Sequence, residues 1–343
     1  MVALNASWVL AGSKSQPPGT IQVPVLELEG GRRLALEQVF SSENEVRGKT
    51  GFWKRLGNFV AGQGVTHTLV RPYSVVADSH GRIIVSDPGA SGVHIFDFAQ
   101  HKYKFIERMK ERDGLHAPQC VAVDAADNIY VTDSDSGKIF VFNPEGKLHR
   151  IIGSLKGGEG YFKRPTGIAV DSAADRIYIT DTLRDKVFVL DMQGNVLKTI
   201  GQRGDGQVEF NYPTELRFYG ENLIVVDSMN FRIQLLDRSG NFQTQIGRAG
   251  DERGGFFRPK GLGVDSEGHI YIVEGLSGVV QVFDRNGNLL YYFGQKGSGP
   301  WQFQLPAGLF IDRDDRVYVV DSYNSRIQVF HYFAINSPAR GGQ

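Results

Sequence analysis

Prolines recur at positions 72, 118, 165, 213, 259 and 306, with spacings of 46, 47, 48, 46 and 47 residues. An acidic residue keeps step with them, at Asp87, Asp133, Asp181, Asp227, Glu274 and Asp321. Two markers in register over six copies define an internal repeat. A repeat of this length restricts a chain to stacked or radial arrays of one supersecondary unit. It also accounts for 343 residues without requiring a second domain.

Each copy divides into four short strands. In the third, Thr166–Asp171 is an apolar run, Arg176–Asp181 alternates, Lys186–Asp191 follows and Val196–Ile200 completes the set. Turn residues separate them, as in Asp191-Met-Gln-Gly-Asn195, and Gly accounts for 42 residues of the chain. Short strands joined by hairpin turns make an antiparallel meander. Such a four-stranded repeat is a propeller blade. The expected fold is all-β, a six-bladed β-propeller of four-stranded antiparallel blades.

The last copy is short. Only 37 residues separate Pro306 from Gln343, and they supply three strands. The strand candidate Ile21–Glu29 is therefore expected to close the ring as the outermost strand of the last blade. Pro24 is tolerable there because an outer strand has one unpaired edge. The expected organisation is a signal-like or disordered tail over 1–20 and one propeller over 21–343. Within the propeller, 21–29 closes the ring, 30–70 is a linker with one short helix, and 71–336 forms the blades. Phe52, Trp53, Leu56, Phe59 and Val60 within Thr50–Val60 share one helical face and place the helix there.

Asp227-Ser-Met-Asn-Phe-Arg-Ile-Gln-Leu-Leu-Asp237 and Asp321-Ser-Tyr-Asn-Ser-Arg-Ile-Gln-Val-Phe330 resemble the NHL-repeat signature. The linker Gly294–Phe303 before Leu305-Pro306 is similar as well, and the resemblance spans roughly residues 65–333. Asn324 suits a left-handed turn, and the Asp321 carboxylate is placed to accept backbone N–H groups. Repetition of the acid in every blade argues for turn chemistry rather than a metal site. The first copy departs from the signature with Gly92 at the Arg position, and the fifth with Glu274 and Val279.

The resemblance is to the bacterial, exported or lipoprotein-like branch of the family. Met1–Ser13 is mostly apolar and Leu10-Ala11-Gly12 is similar to a lipobox, but Ser13 stands where that motif requires Cys. A periplasmic or extracellular location is expected, with a cytoplasmic one as the alternative. Similar propellers accompany exported multihaem cytochromes, which makes such carriers candidate partners. This chain has no Cys-x-x-Cys-His site of its own.

Composition narrows the function. Lys plus Arg and Asp plus Glu both number 38, so the basic excess of a dedicated nucleic-acid binder is missing. The single cysteine, Cys120, excludes an intrachain disulfide and multi-Cys metal motifs. No apolar run reaches the 18 or more residues of a membrane span. The NHL-like lyase of peptide amidation is similar in its Pro-x-Gly strand openings, and the resemblance implies metal-binding His after the blade-opening proline. Here those positions hold Tyr73, Gln119, Thr166, Thr214, Lys260 and Ala307. Lactonase-type propellers centre a calcium ion on Glu, Asn and Asp. The nearest candidate is Glu215, which interrupts the small residues Ser74, Cys120, Gly167, Gly261 and Gly308 at its repeat position. Glu215 can hold a cation with backbone carbonyls or pair with Lys260. Cys120 reads as a buried structural thiol.

What remains is a face. Arg71, Arg164 and Arg258 precede blade-opening prolines, joined by Lys163 and Lys260, and equivalent loops should surround one mouth of the channel. Tyr73, Gln119, Thr166, Thr214 and Glu215 belong to the same candidate surface. Loops on a rigid repeat scaffold are where function concentrates. The leading expectation is a non-catalytic scaffold, without a cofactor, that docks a protein or peptide partner of acidic character. The alternatives are a metal-dependent propeller enzyme of lyase or lactonase type and an RNA-binding NHL domain.

Overall fold

The alternation in each repeat becomes a four-stranded antiparallel sheet, and the sheets stand around one axis. The computed structural model describes residues 8–9, 25–47, 66–107 and 114–334. Blades 1 to 6 are led by the inner strands Ser74–Ala77, Pro118–Val123, Pro165–Asp171, Pro213–Tyr219, Pro259–Val264 and Leu309–Ile311. Each inner strand touches those of the next and previous blades, and the sixth touches the first. The ring is closed.

The core lies between blades. Six apolar clusters fill the six interfaces. Between blades 3 and 4, for example, Ala169, Tyr178, Val187 and Val189 meet Leu216, Leu223, Val225 and Leu236. Fully burying one such aliphatic side chain stabilises by roughly 1.5–3 kcal/mol. Closure therefore matters: an open ring would expose two blade faces to water. Outer strands need bury little, and in Val196–Ile200 only Ile200 is buried.

The closing strand differs from the one expected. Arg33–Phe40 pairs antiparallel with Arg326–Phe333 and is the fourth strand of blade 6. The candidate Ile21–Glu29 contributes Val25–Glu27, one place further out, and Trp8–Val9 pairs with it in turn. Ile21–Pro24 lie outside the described residues. The reason is burial. Leu34, Leu36 and Phe40 cover the blade interfaces, whereas Val25–Glu27 offers Leu26 alone. Both partners of the closing pair are also eight residues long.

Side chains staple this closure. Arg32 Nε lies 2.7 Å from Glu267 Oε2, and the Tyr332 hydroxyl donates to the same carboxylate. Glu37 accepts from Arg316 Nε at 3.1 Å, and His331 Nδ1 lies 2.8 Å from its other oxygen. The Arg32 contact holds the Glu267 carboxyl below its ordinary value, and the His331 contact does so for Glu37. The described residues include one short α-helix, Glu43–Arg47. The helix expected over Thr50–Val60 falls outside them. No helix among the described residues is long and apolar enough to cross a membrane.

Candidate binding site at the channel mouth

The repeated acid builds the mouth. Asp87 accepts the backbone N–H groups of Val70 (2.6 Å) and Arg71 (3.0 Å). Asp181 accepts those of Lys163 and Arg164, both at 2.9 Å. Glu274 does the same for Phe257 and Arg258. Asp133, Asp227 and Asp321 hold His116 and Ala117, Asn211, and Gln304 in their own blades. All six carboxylates are buried. They tie down the loops ahead of the blade-opening prolines and are consumed in doing so.

The rest of the signature completes the clamp. Arg232 and Arg326 bond Asp227 and Asp321 through Nε and reach the linker carbonyls of Gly206 and Gly299. Gln234 and Gln328 bond the same linkers. In blade 1, His94 Nε2 stands 3.5 Å from Asp87 in place of the missing arginine. A Cβ on Gly92 would lie 2.3 Å from the Phe105 ring, so no larger side chain fits there without a shift. In blade 5, Gln281 still holds Gly254 and Gly255 without an arginine. The left-handed turn residue is not Asn324 but the residue after it. Ser91, Gly137, Asp185, Phe231, Gly278 and Ser325 share φ values from 51° to 69°. Asn324 instead spends its amide on Asp321 and Gly297.

Below the loops the ring has a floor. Ser74, Cys120, Gly167, Glu215, Gly261 and Gly308 are all buried. A Cβ on Gly261 would meet Leu309 N at 2.3 Å, and one on Gly308 would meet Tyr73 O at 2.5 Å. Inner strands here touch backbone to backbone. A Cβ on Gly167 would lie 2.8 Å from Glu215 Cα, and past this glycine Glu215 reaches Cys120, whose Sγ donates to its Oε2 at 3.1 Å. Burial first, then the Glu215 carboxylate, pushes the Cys120 thiol well up. The expected pairing of Glu215 with Lys260 is not made. Glu215 instead faces Arg217 of its own strand at 3.8 Å.

Above this floor, four of the ten sequence-predicted residues converge. Arg71, Tyr73, Arg258 and Lys260 line a cavity of about 200 Å³, together with Pro88, Leu305, Pro306, Ala307, Ser322 and Tyr323. Lys260 Nζ lies 5.5 Å from the Tyr73 ring centre, and the Arg71 guanidinium 4.9 Å from that of Tyr323. Burial, then the neighbouring Arg258 and Arg164 charges, lowers the Lys260 ammonium to about 8. Burial likewise raises the Tyr73 phenol. Tyr323 was not singled out from the sequence, although it stands inside the NHL signature.

The other predicted residues do different work. Thr166 bonds Thr180 (2.9 Å) and Thr182 (2.7 Å), and Thr214 bonds Ser228 (2.6 Å). Gln119 turns back to the Ala117 carbonyl at 3.4 Å. These hydroxyl and amide groups brace the loops. Lys163 and Arg164 are exposed, and Arg164 acts on the cavity through its charge.

The opposite end of the ring carries the one grouping of possible metal ligands among the described residues, Asp78, His80 and Asp127. It borders a larger cavity of about 580 Å³ between blades 6 and 1. Its carboxylates are already occupied. Asp78 accepts the His80 and Arg82 N–H groups, and Asp127 accepts the Ser79 N–H and hydroxyl. The Ser79–Asp127 contact recurs as Ser266–Asp315 between blades 5 and 6, which marks it as architecture.

Similar proteins share the fold. A six-bladed β-propeller family profile matches residues 119–201 and 170–216, and an NHL-repeat profile matches 303–330. No curated protein is significantly similar in sequence. Solved structures of similar shape include a streptogramin B lyase, at 15% identity and TM-score 0.56, covering 76% of this chain and 93% of that one. Virginiamycin B lyase from Staphylococcus aureus is 12% identical with TM-score 0.57, covering 88% and 99%. An auxiliary nutrient binding protein from Bacteroides thetaiotaomicron is 14% identical with TM-score 0.59, covering 76% and 69%. At such identities the likeness is one of fold. With its six closed blades, the chain is a six-bladed β-propeller, and residues 303–330 of its last blade match the NHL repeat.

Proposed function

We propose that the protein is a binding scaffold that docks a protein or peptide partner on the loops around the channel mouth. One observation carries the reading: the mouth cavity is lined by three cationic side chains and two aromatic rings, with no carboxylate among its lining residues. Cations left in this state favour an incoming anion and a face able to stack on the rings. The cavity size supports the same reading. At about 200 Å³ it lies below the roughly 300–1,000 Å³ of sites that enclose a drug-sized ligand.

Pull-down from native extract with wild type and with Arg164→Glu plus Lys260→Glu tests the proposal. Partners should be lost from the double variant while its melting curve stays cooperative. Equal recovery by both proteins would remove the mouth from consideration. A stoichiometric divalent ion in the purified protein would instead favour an enzyme.

A further inference from the structure

We propose that the cavity between blades 5, 6 and 1 grips the free C-terminal carboxylate of a partner chain whose last residue is apolar. This rests on the mouth being the binding face, and it names what that face holds.

Charge is the first argument. Arg71, Arg258 and Lys260 converge on a space whose lining contains no acid. The carboxylates bonded to these loops, Asp87 and Glu274, are buried and occupied by backbone N–H groups. They are not available to neutralise the cations. The lowered Lys260 ammonium reports the same imbalance, since burial and Arg258 both oppose its charge. An entering carboxylate would restore that charge, and an arginine fork suits a carboxylate's two oxygens.

Shape and wall chemistry choose the source of the carboxylate. The space of about 200 Å³ suits a single residue, so a chain that ends there fits better than one that must enter and leave. Pro88, Leu305, Pro306 and Ala307 supply apolar wall beside the cations. A chain terminus presents a carboxylate and a side chain from one Cα, matching both halves of the cavity. An internal Asp or Glu brings charge without an apolar group. Capture of terminal carboxylates is an established mode of peptide recognition.

The test titrates acetyl-Gly-Gly-Phe, as free acid and as C-terminal amide, into the full chain by calorimetry. Acetyl-Gly-Asp-Gly amide represents an internal acid. The free acid should bind at least about tenfold more tightly than either amide, the size expected for one charge-assisted contact. R71Q plus R258Q should lose that preference. Binding of the aspartyl peptide as tight as that of the free acid would overturn the terminal source. Equal binding of the acid and amide forms of the first peptide, both lost in R71Q plus R258Q, would overturn the carboxylate grip alone and leave the face standing. Binding that ignores the double variant would overturn the face as well. Because the acid-to-amide comparison uses wild type, a variant that fails to fold leaves the test intact.

Discussion

The two ends of this ring treat charge in opposite ways. At the end away from the blade-opening prolines, charged groups are bonded to one another or to turns. Arg82 lies 2.5 Å from Asp78, His269 2.9 Å from Asp265, and Arg316 3.2 Å from Asp314. Contacts also cross between blades, from Ser79 to Asp127, Ser266 to Asp315, and Arg313 to the Ser79 carbonyl that spans the closure. At the mouth the acids are withdrawn beneath the surface onto backbone amides and the clamp arginines Arg232 and Arg326, while Arg71, Arg258 and Lys260 line a cavity with rings and no acid. The first arrangement holds the ring together. The second leaves three cations facing one cavity with no acid among its lining residues.

The largest effect should come from the withdrawn acids. Asp321→Ala strands Arg326 and frees the Gln304, Asn324 and Gln328 donors. Breaking a buried pair in this way costs about 3–5 kcal/mol. Urea denaturation reads it, and a loss below about 1 kcal/mol would break the claim that these acids are structural.

Lys260 should behave in the opposite sense. Its folded value, about 8, lies below its ordinary 10.5, so between those values the unfolded chain binds more protons. Wild-type stability should therefore gain from this group as pH rises from about 8 to 10.5, and Lys260→Met should remove that gain. At neutral pH, Lys260→Met should stabilise by about 1–3 kcal/mol while weakening peptide binding. Destabilisation would show that the ammonium is already compensated.

A matched change at the far end should affect stability alone. Asp127→Ala removes the acceptor of Ser79 and should cost about 1–2 kcal/mol without altering binding. Its mouth counterpart, Arg258→Gln, should stay within about 0.5 kcal/mol of wild type in stability and lose binding instead. Calorimetry with both variants decides whether the ends are truly divided.

The smallest effect is a titration. Asp265 raises His269, through their hydrogen bond first and its charge as well. The stability this supplies is complete below the ordinary value of 6.5 and fades as pH rises through the raised folded value. His269→Gln should flatten that part of the pH–stability curve, read by thermal melting. An unchanged slope would mean the contact carries no net energy.

Much of this was legible in one dimension because a repeat states each physical requirement six times. The strand-end acids read as turn chemistry, and each one proves to hold a loop. Asn324 misled because Asn tolerates positive φ, yet its amide bonds elsewhere and the turn falls to Ser325. Arg33–Phe40 misled because its partner lies nearly 300 residues away along the chain. Nothing local says which of two neighbouring segments will bury the better face.

The sequence by itself determined the number of blades, their strands and the loops that share one end of the ring, because each depends on patterns shorter than the repeat. Only the tertiary structure decided which strand closes the ring. It also decided that Glu215 turns to Cys120 and Arg217, and that Arg71 and Tyr73 of blade 1 meet Arg258 and Lys260 of blade 5 across the sixth blade. Those outcomes follow from closing a circle. Closure sets residues of the first and fifth copies side by side, and no spacing along the chain measures that distance.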